Sequence, residues 1–308
     1  MVSPVRRAVK SDASSIAQRV AEQLSRDARI EALVCDDFSR QEFESALATS
    51  TGPVWVDDSN GHLRGHLYGA TFDDPLHGRQ TWTGPDGYSF DSEDVLDNLS
   101  VWAYRSWRDE GSGAHLVWAL AGRGTQAWVE RGYRIISVRA SLALGDHIDF
   151  SWPGGHRVRR GTPGDLETAL AFDALIDLAQ GTQLDSLIDA QREASEAALV
   201  ELLDDPDCHY YLVEIDSVVA AQCMAFPLPT LRGNFEDTVY VGSLAVDPAF
   251  RRRGVATMLM HTILNDALDD GFRFAEVRWH INNEEATSLW PALGFRPTYV
   301  QLHRTLLN

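Results

Sequence analysis

Apolar and polar positions change period several times along the second half of the chain. Val255, Leu259, Ile263 and Ala267 fall on one stripe of a 3.6-residue repeat and predict a helix from Arg252 to Asp270. Strand-like runs flank it, from Val239 to Val246 and from Arg273 to Trp279. A strand, polar turn and second strand cover Tyr210 to Phe226, after a short strand at Arg157 to Arg160 and helices at Pro163 to Ala179 and Leu184 to Leu203. A helix from Glu284 to Leu293, with Ala286, Leu289 and Leu293 on its core side, and a strand from Pro297 to Arg304 complete the half. The mixture predicts an α/β (α+β) fold, a mixed central sheet flanked by helices.

The same order occurs twice. "VRRAVKSD" at Val5 to Asp12 is matched by "VRRGTPGD" at Val158 to Asp165, and "WVERGYR" at Trp128 to Arg134 by "WPALGFR" at Trp290 to Arg296. Between these markers, "VWVDDSNGHLRGHLYG" (Val54 to Gly69) parallels the hairpin at Tyr210 to Phe226. The polar, proline- and glycine-bearing stretch Gly145 to His156 reads as a linker. We therefore expect two related domains, residues 1–147 and 156–308, which a 308-residue chain is long enough to form.

Composition narrows the partners. With 27 Lys and Arg against 45 Asp and Glu the net charge is −18, which argues against nucleic acid or an anionic membrane as the main partner and favours a cationic acceptor. No apolar run approaches a membrane span and no leader opens the chain, so the expectation is a cytoplasmic protein, monomeric or homodimeric. Cys35, Cys208 and Cys223 form no CxxC pair, and the ten histidines show no HExxH spacing, His62 and His66 included. We expect buried thiols and no metal site.

The chemistry concentrates at "VDPAFRRRGVATML", Val246 to Leu259. The first amides of a helix lack internal acceptors and carry the positive end of its dipole, while Gly254 and Ala256 leave the backbone approachable. Arg251, Arg252 and Arg253 oppose that dipole unless an anion sits among them, and a diphosphate fits. GxxxxGK[ST] and a helix-opening GxGxxG are both absent, which ranks ATP and NAD low.

"RRRGVA", Arg251 to Ala256, resembles the [QR]xxGx[GA] loop of the GNAT superfamily of acetyltransferases. "NEEATSLWPALGF", Asn283 to Phe295, resembles that family's NxxAxxxYxxxGF segment. The resemblance implies two tandem GNAT-like domains, with acetyl-CoA as co-substrate bound by the second. It further implies a backbone track for the pantetheine arm at Leu244, Ala245 and Val246. The loop amides of Arg252, Arg253, Gly254, Val255, Ala256 and Thr257 would hold the diphosphate, and Asn283 would position the coenzyme; as a plain N-cap, Asn283 would serve its helix instead. In the first half the corresponding stretch, Gly87 to Trp107, carries acids where the second has arginines, so coenzyme binding there is lost. Its aromatic residues Trp102, Tyr104, Trp107, Trp118 and Trp128 read as core.

Acetyl transfer needs a neutral amine. Deprotonating an ammonium near pKa 10.4 costs roughly 4–5 kcal/mol at pH 7, whereas a thiol near 8.5 leaves at a cost of about 2, so the base matters more than the acid. Glu236 and Asp237 precede the coenzyme strand, and Glu276 and His280 alternate on one face of the next; these are the candidate bases. Trp290 stands where the family carries its tyrosine acid, leaving Tyr240, Ser243, Tyr299 or solvent to protonate the sulfur. The expectation is an N-acetyltransferase acting on a small-molecule or protein amine; the alternative is a non-catalytic acyl-CoA-binding or scaffold protein.

Overall fold

A computed structural model describes residues 4–49, 52–74, 77–181, 189–228 and 233–306. By contacts the chain divides into two compact units. Met1–Ser137 with Leu231–Phe235 and Thr298–Asn308 form the first, and Val138–Thr230 with Glu236–Pro297 the second. The last strand of the chain thus packs with the first unit, and the break after Ser137 falls inside a strand rather than in the Gly145 to His156 stretch.

The first unit opens with β1 (Val5–Arg7), α1 (Ala13–Ile30), α2 (Arg40–Thr49), β2 (Trp55–Asp57), β3 (Gly65–Leu67), β4 (Ala70–Asp74), β5 (Gly78–Thr83) and β6 (Tyr88–Phe90). It continues with α3 (Glu93–Asp109), β7 (Ala114–Leu120), α4 (Gln126–Val129) and the start of β8 (Arg134–Ala143). One sheet runs β1-β2-β3-β6; in another β4, β5 and β7 lie in that order. Ile16, Ala17, Val20 and Leu24 bury one stripe of α1, and Val95, Leu96, Leu99, Ala103 and Trp107 one stripe of α3. Burial of each larger side chain contributes about 1.5–3 kcal/mol relative to exposure. Trp107 and Trp128 are fully buried, as the core reading expects, whereas Trp102 keeps 36% of its surface exposed.

The second unit comprises β9 (His156–Arg160), α5 (Leu166–Gln180), α6 (Asp189–Asp204), β10 (His209–Ile215), β11 (Val218–Pro227), β12 (Thr238–Val246), α7 (Val255–Asp269), β13 (Phe274–His280) and α8 (Glu284–Ala292). The helix expected from Leu184 starts in 182–188, outside the described residues. The sheet order is β13-β12-β11-β10-β9; β12 and β13 run parallel and the other pairs antiparallel. Val255, Leu259, Met260, Ile263, Leu264 and Ala267 of α7 pack on one sheet face with Val239, Val241, Ala275 and Val277. Strand alternation turns Tyr240, Glu276 and Arg278 to the opposite face. The Gly145 to His156 stretch lies against α7: Ile148 and Asn265 exchange two hydrogen bonds, and the Trp152 indole donates to Thr262. The final strand, β14 (Arg296–Thr305), pairs antiparallel with β7.

The repeat read from sequence has a structural counterpart. Arg6 forks onto Asp12 and donates its Nε to Asp58; Arg159 forks onto Asp165 and donates its Nε to Glu214. At the other marker, Trp128 meets Tyr133 edge-on at 5.3 Å and Trp290 meets Phe295 edge-on at 5.4 Å. Gly132 and Gly294 take φ of 80° and 90° in the intervening turns, a conformation only glycine adopts without strain.

Candidate active site

The site starts with a break in β12. Its parallel pairing to β13 runs from Thr238↔Phe274 to Val241↔Val277 and goes no further, while both strands continue. Register against β11 slips between Gln222 and Met224, and Ser243 sits there at φ 52°. A non-glycine residue in the left-handed region costs of order 1 kcal/mol or more, so the surrounding sheet holds a strained bulge that turns β12 away from β13.

β12 then delivers the chain to a second strained corner. Arg252 and Gly254 take φ of 62° and 78° immediately before α7. Gly254 occupies the N-cap position without a side-chain cap, and no acid stands in the first turn. The amides of Arg252 to Thr257 donate to no acceptor among the described residues. A helix start with open donors, no carboxylate and exposed Arg252 and Arg253 is built for an anion. Arg251 is held elsewhere. Its Nε donates to the Val246 carbonyl at 3.0 Å and its Nη1 lies 3.1 Å from Glu285. It fastens the loop to the strand end and to α8, and it occupies the Val246 oxygen that the resemblance would leave for the pantetheine arm.

These residues border one cleft of about 650 Å³. Leu244, Ala245, Val246, Arg251, Arg252, Gly254, Val255, Ala256, Thr257 and Asn283 line it, together with Leu175, Ile176 and Ala179 of α5 and Leu289 and Trp290 of α8. Arg253 does not; it lies over Phe250 at 5.6 Å. Asn283 caps α8, its side chain accepting from the Ala286 amide at 2.9 Å, and it borders the cleft as well. The α5 wall was not legible in the sequence, because the pattern that makes α5 a helix says nothing about which strand it crosses.

The candidate bases separate. Glu236 and Asp237 are exposed at the start of β12. Asp237 precedes Leu244 by about 20 Å of extended chain, which removes both from the parting of the strands. Tyr240 and Glu276 are register partners just before the parting, on the face away from α7. Glu276 is 3% exposed and lies 3.2 Å from the Nε of Arg139, which β8 contributes. Burial pushes the Glu276 carboxyl above the usual range, with Arg139 and Arg278 pulling it back; burial also holds the Tyr240 phenol protonated. His280 accepts the Asn282 amide on Nδ1, which fixes the Nε2–H tautomer and leaves it a donor rather than a base. Tyr299 belongs to the first unit, packed with Val34 and Leu120. Trp290 is buried against Phe295 and brings no acid.

At the equivalent helix of the first unit the start is acidic. Ser92, Glu93 and Asp94 open α3. Behind it, the His115 ring lies tilted against Trp107 at 4.4 Å, bonds the Tyr133 hydroxyl and meets Thr83 Oγ1 at 2.8 Å. Among the described residues no group of three or more His, Cys, Asp or Glu could hold a metal ion, and no helix is long and apolar enough to cross a membrane.

Residues 173–295 match the Acetyltransferase (GNAT) family. No curated protein matches the sequence. Among solved structures, a GCN5-related N-acetyltransferase from Sphaerobacter thermophilus is 16% identical, with 99% of this chain and 96% of that one covered at a TM-score of 0.64. A tandem GNAT protein from the clavulanic acid biosynthesis pathway is 14% identical, with 99% and 98% covered at a TM-score of 0.56. At these identities the likeness is one of fold, and it extends over both halves.

Proposed function

We propose, for a tandem GNAT-superfamily chain whose residues 173–295 belong to the acetyltransferase (GNAT) family, that the second unit binds acetyl-CoA and transfers its acetyl group to a primary amine, from a small molecule or a protein. The observation that carries this is the uncapped start of α7, with its open amides and left-handed Arg252 and Gly254, at the mouth of the cleft that the parting strands leave. The residues present fit the coenzyme. The amides of Arg252 to Thr257 would hold the diphosphate, the backbone of Leu244 and Ala245 the pantetheine arm, and Asn283 the neighbouring portion. Bound acetyl-CoA supplies an activated acetyl thioester.

The chain's own part is proton management on the face away from α7. Glu276 takes the ammonium proton on its carboxylate; a carboxyl lifted by burial serves this better than an ordinary one, because the best base titrates near working pH. Tyr240 holds a proton at its hydroxyl beside it. The first unit carries no coenzyme.

Calorimetric titration with acetyl-CoA tests binding, and thiol release against a panel of amines tests transfer. Saturable binding lost in Arg252→Glu, with release for at least one amine, is the expected result. Binding without release for any amine would leave the binding-only reading, which Trp290 favours by offering no acid.

A further inference from the structure

The end of α7 inverts its start. Arginines gather before the helix, whereas its last turn holds no basic residue, and Asp266, Asp269 and the C-cap Asp270 stand at the negative end of its dipole. Arg160 offsets Asp266 at 3.0 Å and His147 offsets Asp269 at 2.9 Å. Asp270 meets the His209 imidazole at 3.5 Å, and its side chain stays 44% exposed. Beside it lies a second cavity, of about 270 Å³, wholly within the second unit. Val239 of β12 with Ile263 and Ala267 of α7, all buried, make an apolar floor. His209 and Tyr211 of β10 form one wall and Phe272, just after α7, another. Asp207 and Asp270, both exposed, complete the lining as its rim. The Asp207 carboxylate makes no hydrogen bond or ion pair among the described residues. No lysine or arginine lines this cavity. Arg160 stands outside it, 3.9 Å from the Tyr211 ring centroid, with its charge engaged by Asp266.

We infer that this cavity is a second ligand site and that it takes a small organic ammonium, with an apolar body on the floor and a positive head between Asp207 and Asp270. Its volume falls just under the about 300–1,000 Å³ of ordinary small-molecule pockets, which limits the body to a short chain or a single ring. Charge fixes the sign. An anion would meet two carboxylates and the negative end of a helix, and a neutral molecule would leave both acids uncompensated; an ammonium offsets them together. A bare metal ion does not suit the lining, since no group of three or more His, Cys, Asp or Glu among the described residues could hold one. Because the carboxylates face solvent, affinity comes mainly from the apolar floor and discrimination from the rim. This is not the acceptor's seat. The cavity shares no lining residue with the coenzyme cleft, and its floor lies on the α7 face of the sheet, opposite Tyr240 and Glu276. The fifteen residues of α7 put about 22 Å between its two ends. The site therefore stands independently of acetyl transfer.

Calorimetric titration of the whole chain with phenethylammonium, phenethyltrimethylammonium, phenethyl alcohol and hydrocinnamate tests it. The quaternary ion has no N–H and cannot accept an acetyl group, so its binding reports the second site alone. Both cations should bind saturably, with or without acetyl-CoA, the alcohol about tenfold more weakly and the carboxylate more weakly still. Asp207→Asn and Asp270→Asn should each raise Kd for the quaternary ion about threefold, and about tenfold together. Asp269→Asn, just outside the lining, should leave it unchanged. Urea denaturation of each variant verifies the fold, and the ligand series on the wild-type chain needs no variant. Cations that fail to saturate, an alcohol that binds as tightly, displacement of the quaternary ion by acetyl-CoA, or an equal loss in Asp269→Asn would each overturn the inference. Failure of acetyl-CoA itself to bind would overturn the transferase reading and leave this site standing.

Discussion

At the head of α3 the first unit presents Ser92, Glu93 and Asp94, and at the head of α7 the second presents Arg252, Arg253 and Gly254. Around these two starts the scaffolds correspond closely: an arginine forked onto the aspartate of the next turn, a tryptophan edge-on to an aromatic across a left-handed glycine. What differs is charge and filling. The first helix start satisfies its dipole with its own acids and the space behind it is packed with Trp107, His115 and Trp128; the second leaves both the amides and the cleft open. The same sequence order can keep a fold while a handful of positions decides whether it binds anything. An uncapped, arginine-flanked helix start is a standing cost, which a ligand offsets.

Reversing charge at the open helix start should break this contrast most strongly. Arg252→Glu leaves the left-handed backbone as strained as before but replaces an attraction by a repulsion. Two charge-assisted contributions of about 1.5–3 kcal/mol make a loss of acetyl-CoA affinity on the order of a thousandfold the expectation. The converse double substitution Glu93→Arg, Asp94→Arg should create no affinity in the first unit, because buried aromatic residues remain behind α3. Titrating the double variant on an Arg252→Glu background isolates the first unit; any saturable binding there would remove the distinction.

Acid should separate the units next. Burial lowers His66 to about 4 and His115 to about 3 in the first unit, so each is neutral when folded and takes a proton when unfolded below about pH 6.5. Asp27, raised to about 7 by burial, works the other way, being protonated in the folded state over the same range. His303 of the same unit is lowered by burial as well, so the unfolded state takes up more protons than the folded one holds, and stability of this unit should fall as the pH drops from 6.5 towards 4. In the second unit Asp173, raised to about 6, and Glu276, raised as well, make the fold less sensitive to acid or slightly favoured by it. Urea titrations at several pH values, followed by hydrogen exchange to assign the unit that opens, measure this. Asp27→Asn should remove the opposing proton and steepen the first unit's slope by about 1.4 kcal/mol per pH unit. A slope of the opposite sign would refute the neutral-histidine account.

The repeated strings at Val5 to Asp12 and Val158 to Asp165 were legible in the sequence as a repeat, but not the forks of Arg6 and Arg159 onto their aspartates. The arginine loop was legible because Arg251 to Thr257 announce a helix start by themselves. Asn283 was legible as a cap for the same reason. The Arg139–Glu276 pair was not, since it joins strands far apart in the chain and nothing in either neighbourhood marks the other. Nor could periodicity show that β14 pairs with β7, or that Glu236 and Asp237 sit at the end of β12 away from its parting from β13. Strand direction and register decide those matters, and an alternating pattern carries neither.

The clamps allow a finer comparison. Arg159→Ala and Arg6→Ala each remove a two-pronged contact to one aspartate and a bond to a second acid. The side chain of Arg159 is 25% exposed against 40% for Arg6, so solvent screens the second-unit clamp less. We expect a loss of about 1–2 kcal/mol for Arg159→Ala and about 1 kcal/mol for Arg6→Ala in urea denaturation. Lysine at either position should recover little, having no fork to present. An Arg6 loss larger than the Arg159 loss would show that burial does not set the ranking.

The smallest effect is expected where the second unit departs from the GNAT pattern that its residues 173–295 match. Trp290 packs edge-on to Phe295 and is 5% exposed, so Trp290→Tyr removes a ring from a filled space and should cost about 1–2 kcal/mol of stability. In exchange it places a phenol at the cleft wall. A thiol near pKa 8.5 leaves as thiolate for about 2 kcal/mol without help, while freeing the amine requires about twice that, so proton delivery to sulfur is not the larger barrier. The rate of thiol release should therefore change by less than about threefold, with Glu276→Gln losing far more. If Trp290→Tyr instead raised kcat tenfold or more, the acid step would limit turnover, and the ranking of base over acid in this site would have to be reversed.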